Sequence, residues 1–286
     1  MTTHQITTTR RRSFHGPTVV RFTFLGLMAV FAAFPLLWGL VTSLKVNAEI
    51  VSIPPTWIPD ALTLEHYRNV LFDTKMTDFL WHSALVAALT SVLAVVIGLA
   101  GGYAAARVTF RGRNALLLAI LASSMVPGIA ILVPLYKVGV NVGLHNTFFY
   151  LVLVYTAWQM PTVLWMMRGF IRNVSVDLEE SAMVEGCSRL GAFLRITVPA
   201  LRPGLAAALL IVFVFVWNDW LVAMTLISTE DKMLAQVGLY RFIGDYGVRW
   251  GDFMAYVMIA TLPIVAVFLA LSRLIVSGLT AGATKG

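Results

Sequence analysis

Six runs of apolar residues constrain this chain more than any other feature. They extend approximately from Phe22 to Ser43, Phe79 to Ala106, Ala115 to Tyr136, Phe148 to Met167, Leu205 to Ile227 and Phe253 to Val276. Each is close to the roughly 20 residues a helix needs to cross the hydrocarbon core of a bilayer. Backbone N–H and C=O groups in hydrocarbon must be satisfied within the segment, so runs of this length fold as membrane-spanning helices. A transmembrane barrel shows alternating segments of about ten residues instead, and none is present. Only 12% of the 286 residues are charged, against about 25% in soluble domains, and the mean hydropathy is +0.82. The expected fold is an all-α membrane protein with six transmembrane helices. Gly98, Gly101, Gly102, Pro127, Pro134, Pro161 and Pro263 fall inside the runs, where packed neighbours can re-satisfy freed backbone groups.

The net charge of +7 does not point to nucleic acid, because basic residues beside apolar runs are what membrane orientation requires. With both termini inside, the inner segments hold two basic residues for every one outside. This bias predicts a multi-pass protein of the inner (plasma) membrane with both termini cytoplasmic. Arg10-Arg11-Arg12-Ser13-Phe14 loosely resembles a twin-arginine export signal. The apolar run after it is too long for a signal peptide and ends without a small-residue cleavage site, so it reads as an uncleaved first span. The chain then divides into a basic arm (1–21), a six-span domain (22–277) and a short inner tail (278–286). A single cysteine, Cys187, excludes an intrachain disulfide.

Outside the membrane, the segment from Lys45 to Asp78 carries the stiff stretch Pro54-Pro55-Thr56-Trp57-Ile58-Pro59, then a helix start capped by Thr63. The segment from Ser228 to Gly251 carries Tyr240, Tyr246 and Trp250. These aromatics, with Trp57 and Tyr67, suit either a protein partner or interfacial anchoring.

The connection between the fourth and fifth runs is charged and about thirty residues long, where helix connections are usually short. Asp177 can cap a helix, with Glu180 three residues on as a loose capping box. Asp177, Glu179 and Glu180 suit the positive end of that helix. Ser181 and Ala182 are small enough for close approach by another surface. Glu185 precedes Gly186, which can take the left-handed conformation that ends a helix. A second short helix, Arg189 to Ile196, is expected to stop before Pro199. The result is a helix-turn-helix over 175–199, either a dock for a soluble partner or an amphipathic connector.

Glu180, Ala182, Gly186, Ile196 and Pro199 resemble the EAA motif of binding-protein-dependent ABC importer permeases, with Ser181 replacing the usual first Ala. The stretch Val174-Ser175-Val176 lacks the Pro common before the motif. Further pieces resemble carbohydrate-type permeases related to the second membrane subunit of the maltose transporter. They are Pro55 to Pro59 with Tyr67, Tyr103 to Arg107, Leu164 to Phe170, Trp217-Asn218-Asp219-Trp220 and the tail from Gly278. The resemblance implies a coupling segment that docks in a cleft of an ATPase subunit, with the tail reaching the same way. It also implies a second, homologous permease, two ABC ATPase subunits carrying ATP and Mg, an extracytoplasmic solute-binding protein, and a sugar as cargo.

The chain itself cannot form a Gly-x-x-x-x-Gly-Lys phosphate loop, because it has no Gly-Lys dipeptide. Its five histidines show no metal-ligand spacing, and no catalytic role or resident cofactor is expected. Asn218 and Asp219, flanked by Trp217 and Trp220, fall inside the fifth run. Ionisable groups there mark a functional site by default: Asn and Asp can bond sugar hydroxyls while an indole stacks on a pyranose ring. The plainer reading is that Asp219 pins a helix at the outer boundary. Tyr155 and Gln159, four apart on one helix face, are further pathway candidates or ordinary interhelical bonds. Arg107, Arg168 and Arg273 read as boundary anchors. The alternative is an ion-coupled secondary transporter, which calls for inverted repeats and several intramembrane acids.

Overall fold

The computed structural model describes residues 16–244 and 247–283, with side chains over 20–244 and 247–276. Most of the basic arm, Tyr246 and the side chains of the tail lie outside the described residues. The helices are α1 (Gly16–Ser43), α2 (Asn47–Ile50), α3 (Glu65–Phe72), α4 (Met76–Arg107), α5 (Arg113–Ser123), α6 (Gly128–Asn141), α7 (Phe148–Arg172), α8 (Val176–Val184), α9 (Arg189–Ala192), α10 (Val198–Ala200), α11 (Arg202–Asn218), α12 (Leu221–Leu226), α13 (Ala235–Gly238) and α14 (Trp250–Ala283). A minimal hairpin pairs β1 (Ile243–Gly244) with β2 (Gly247–Val248).

Four helices, α1, α4, α7 and α14, are long and apolar enough to span a membrane. Two bent pairs bring the number to at most six: α5 with α6, bent by 94°, and the segment Arg189–Ala200 with α11, bent by 73°. The third apolar run is therefore not one straight helix. Pro127 disfavours the helical conformation at Val126, and Ser123 and Ser124 turn their hydroxyls back onto the carbonyls of Ile120 and Leu121. The fifth run is broken too. α11 stops at Asn218, Asp219 is extended, and α12 restarts at Leu221.

The centre of the bundle is the packing of α4 on α7, with α11 against both. Its core holds Val86, Ala94, Leu151, Val163, Met167, Val212 and Trp217. Gly98 and Gly102, four apart, share one face of α4. A Cβ on Gly98 would lie 2.5 Å from Val163 Cγ1, and one on Gly102 would lie 2.9 Å from the backbone nitrogen of Arg168. Small residues at this spacing let two membrane helices approach backbone to backbone. α1 packs chiefly on α14 and keeps only 6% of its span buried, as suits a helix whose apolar surface is covered by lipid.

The end of the bundle that holds α3 and the start of α14 is tied by polar contacts. The buried His66 on α3 lies 2.8 Å from Asp252 of α14 through Nδ1, and 2.9 Å from the Lys45 carbonyl through Nε2. Asn146, in the left-handed region at φ 59°, accepts the Ser228 and Thr229 backbone N–H groups through Oδ1. The cap position of α3 is Leu64, not Thr63, though Thr63 Oγ accepts the Glu65 N–H at 3.1 Å just ahead of the helix.

Candidate functional site

The segment 175–199 is an ordered helical hairpin outside the long helices. Its first cap is Ser175, not Asp177: Ser175 Oγ accepts the Asp177 N–H, and α8 begins at Val176. Asp177 and Glu179 occupy the first turn, where carboxylates complement the helix dipole. Gly186, at φ 95°, closes α8 as expected. The Cys187 N–H bonds the Ala182 carbonyl and the Gly186 N–H bonds that of Met183, a complete Schellman cap. Ser188 then caps α9 by accepting the Gly191 N–H. The chain does not stop before Pro199. It passes through a π-turn, Phe193–Thr197, into α10, which contains Pro199. Pro199 has no N–H for the carbonyl of Arg195, so the ladder loosens there instead of ending.

The two faces of this hairpin differ. Glu179 and Ala182 are buried, while Glu180, Ser181, Glu185 and Gly186 are exposed. Ala182 therefore packs inward, and only Ser181 of the small pair faces out. Val176, Leu178, Val184, Leu190 and Leu194 are exposed beside the acids. Large apolar side chains exposed on a polar segment are available to a partner surface.

The inward face is held by charge. Arg107, at the last turn of α4, is not a solvated boundary anchor. Its side chain is 9% exposed and that of Glu179 is 6% exposed. Arg107 Nε donates to Glu179 Oε1 at 2.9 Å, and its Nη2 donates to the Val174 carbonyl at 2.7 Å. Tyr103, one turn earlier on α4, donates its hydroxyl to Glu179 Oε2 at 2.9 Å and packs its ring 4.4 Å from that of Phe193 in the π-turn. The buried Thr197 hydroxyl lies beside the same carboxylate and favours its charged form. Burial alone pushes the Glu179 carboxyl up. The bonds from Arg107 and Tyr103, with the Arg107 charge, outweigh it and hold the group below the usual carboxylate range.

The candidate pathway residues divide. Tyr155 and Asp219 do meet: the phenol donates to Asp219 Oδ1 at 2.8 Å. The same oxygen accepts the Val222 N–H at 2.9 Å, so Asp219 caps α12 and pins it to α7. Trp217 is buried in the core, stacked on Phe213 at 5.7 Å, and offers no face to a ligand in this arrangement. Trp220 is exposed and lies 5.5 Å from Tyr240. Asn218 is exposed and donates to the Val214 carbonyl. Gln159 is buried and lines a cleft of about 620 Å³ between α6 and α7, with Ser123, Trp158, Thr162 and Phe215. Arg168 sets its guanidinium 5.0 Å from the Trp165 ring.

These features describe a multi-pass helical membrane protein with an ordered polar hairpin between its spans. The family model described as "Binding-protein-dependent transport system inner membrane component" matches residues 97–281, and the chain belongs to that family. It is 33% identical over 274 residues to the sulfoquinovosyl glycerol transport system permease protein of Agrobacterium fabrum, covering 96% of each chain. It is also 33% identical to the trehalose transport system permease protein of Mycobacterium tuberculosis, covering 91% of this chain and 95% of that one. Its fold matches a chain in the crystal structure of a bacterial ABC transporter involved in the import of the acidic polysaccharide alginate. There the TM-score is 0.78 at 21% identity, over 93% of this chain and 99% of that one.

Proposed function

We propose that this chain is the membrane-spanning permease subunit of an ATP-driven ABC importer, and that it carries an oligosaccharide or disaccharide inward by alternating access. The observation that carries this reading is the outward face of the hairpin. Exposed acids and large apolar side chains stand together on a well-capped segment outside the long helices, where lipid does not explain them. Relatives of similar length are named for the transport of sulfoquinovosyl glycerol, trehalose and diacetylchitobiose, which supports a sugar as cargo.

In this account the chain crosses the membrane six times, through α1, α4, the bent pair α5 and α6, α7, α11 and α14, with both termini in the cytoplasm. Glu180, Ser181, Glu185 and Gly186 meet an ATPase subunit, while Ala182 and Pro199 shape the hairpin from within. ATP and Mg reside on two such ATPase subunits. A homologous second permease completes the pathway, and an extracytoplasmic binding protein delivers the sugar to the end that holds His66 and Trp250. ATP binding closes the ATPase pair, and the hairpin passes that motion to the bundle. Asn218, Asp219 and Trp220 stand at the break between α11 and α12, a joint suited to gating. Tyr155 holds that joint, Trp217 packs behind it, and Gln159 faces the cleft.

Co-purification from detergent-solubilised membranes tests the reading, comparing wild type with Glu180→Ala/Gly186→Asp. Recovery of an ATPase by wild type and its loss in the variant is the expected result. Absence of any ATPase from both, with folded protein, would overturn it in favour of an ion-driven transporter.

A further inference from the structure

The buried side of the hairpin carries a second, separate device. Glu179 and Glu180 are adjacent on α8, about 100° apart around its axis, so one faces the bundle when the other faces out. The inward one meets a preformed socket: Tyr103 and Arg107, four apart on one face of α4, each within 2.9 Å of it. Arg107 also reaches the Val174 carbonyl just before α8. The socket thus grips the hairpin at its entry, its first helix and, through the Tyr103–Phe193 contact, its π-turn. A π-turn is a weak point in a helical ladder and is frequent at functional sites.

The other end of the connection is equally tight. α4 is the helix most extensively packed in the bundle, against α7 and α11. At Gly98 and Gly102 it approaches α7 so closely that neither position has room for a Cβ. A displacement of the hairpin is therefore delivered to α4 through two charged and hydrogen-bonded side chains, and by α4 to the core.

We propose that Arg107, Glu179 and Tyr103 form a latch that transmits movement of the hairpin to α4, and that this latch sets how tightly ATP hydrolysis is coupled to transport. They touch neither sugar nor nucleotide, so they are positioning residues. Glu180 makes the contact with the ATPase and Glu179 transmits it inward. This inference rests on the importer reading above.

The test uses the complete complex reconstituted into vesicles, with binding protein and sugar supplied, and reads ATP hydrolysed per sugar delivered. Glu179→Gln keeps the side-chain shape and removes the charge, and the ratio is expected to rise about tenfold. Arg107→Lys keeps the charge but cannot bridge Glu179 and Val174 together, and it is expected to fall between Glu179→Gln and wild type. A merely structural role lowers both activities together and leaves the ratio unchanged, a result that overturns the latch. If Glu179→Gln fails to assemble, Tyr103→Phe is read in its place. It removes one hydrogen bond and leaves the ion pair, and a ratio about threefold above wild type is expected, with an unchanged ratio overturning the proposal. A wild-type chain that recovers no ATPase overturns the importer reading itself. A wild type that recovers one, beside a Glu179→Gln complex with an unchanged ratio, overturns the latch alone.

Discussion

Replacing Gly102 by Ala adds one methyl group where α4 has no room for it. A Cβ at this position meets Met167 Cβ at 2.8 Å and the Arg168 backbone nitrogen at 2.9 Å. Neither atom is the free end of a flexible side chain, so the new methyl can be accommodated only by moving α4 away from α7. Overpacking of this kind costs about 1–3 kcal/mol, and a clash with backbone belongs at the upper end of that range. Against it stands the better helix propensity of Ala, worth up to about 1 kcal/mol. The net expectation is a loss of about 2 kcal/mol. Gly169 on α7 is the matched control, because a Cβ there meets nothing within 4 Å. Gly169→Ala keeps the propensity gain alone and should be neutral or up to about 1 kcal/mol more stable. Reversible unfolding of the purified chain in mixed micelles, followed by helical circular dichroism against added denaturing detergent, reads the difference. The two variants should differ by about 3 kcal/mol by the same accounting. Equal stabilities would refute the close approach of α4 and α7 on which the proposed latch relies.

Tyr155→Phe removes the phenol donated to Asp219 and leaves that carboxylate with the Val222 N–H alone. A loss of about 1–2 kcal/mol is expected in the same unfolding assay, and a neutral result would mean that α12 is not pinned to α7. Gly186→Ala places a side chain at φ 95° with open space around it, so its cost is backbone strain alone, about 1–2 kcal/mol. Limited proteolysis at the hairpin should report faster cleavage, with Gly169→Ala unaffected. The ion pair at Glu179 should also show in the pH dependence. Its carboxyl titrates lower in the folded chain than its ordinary unfolded value of about 4.3, so its contribution is complete above that value and is lost as pH falls through the lowered one. The stability gap between wild type and Glu179→Gln should therefore be constant near neutrality and close in acid. A gap that widens in acid would contradict the assigned direction.

The four long apolar helices were legible because burial in hydrocarbon leaves a one-dimensional mark, a run of apolar residues of fixed length. Breaks within the other two runs were not. Pro35, Pro134, Pro161 and Pro263 sit inside continuous helices, whereas Pro127 accompanies a bend of 94°, and proline alone does not distinguish the cases. The end of α8 was legible at Gly186, since a left-handed cap is a local requirement. Its start was displaced to Ser175, whose hydroxyl accepts the Asp177 N–H and so sets the cap two residues earlier. Contacts between distant residues left no local trace. Asp219 stood out as an acid in an apolar run, but its partner Tyr155 is 64 residues away. Arg107 looked like an inner boundary residue because its partner Glu179 lies 72 positions later. The i, i+4 spacing of Tyr103 and Arg107, beside a pair of consecutive glutamates of which only one can face inward, was the signal that could have located the socket.

The central claim is that the outward face of α8 meets an ATPase. A photo-reactive amino acid placed at the exposed Ser181, in membranes of cells carrying the whole transporter, tests it directly. The expected result is a crosslink to an ATP-hydrolysing subunit from Ser181 and none from Phe72, an exposed residue at the opposite end of the bundle. The contradicting result is a Ser181 adduct confined to lipid or to this chain, with the ATPase untouched.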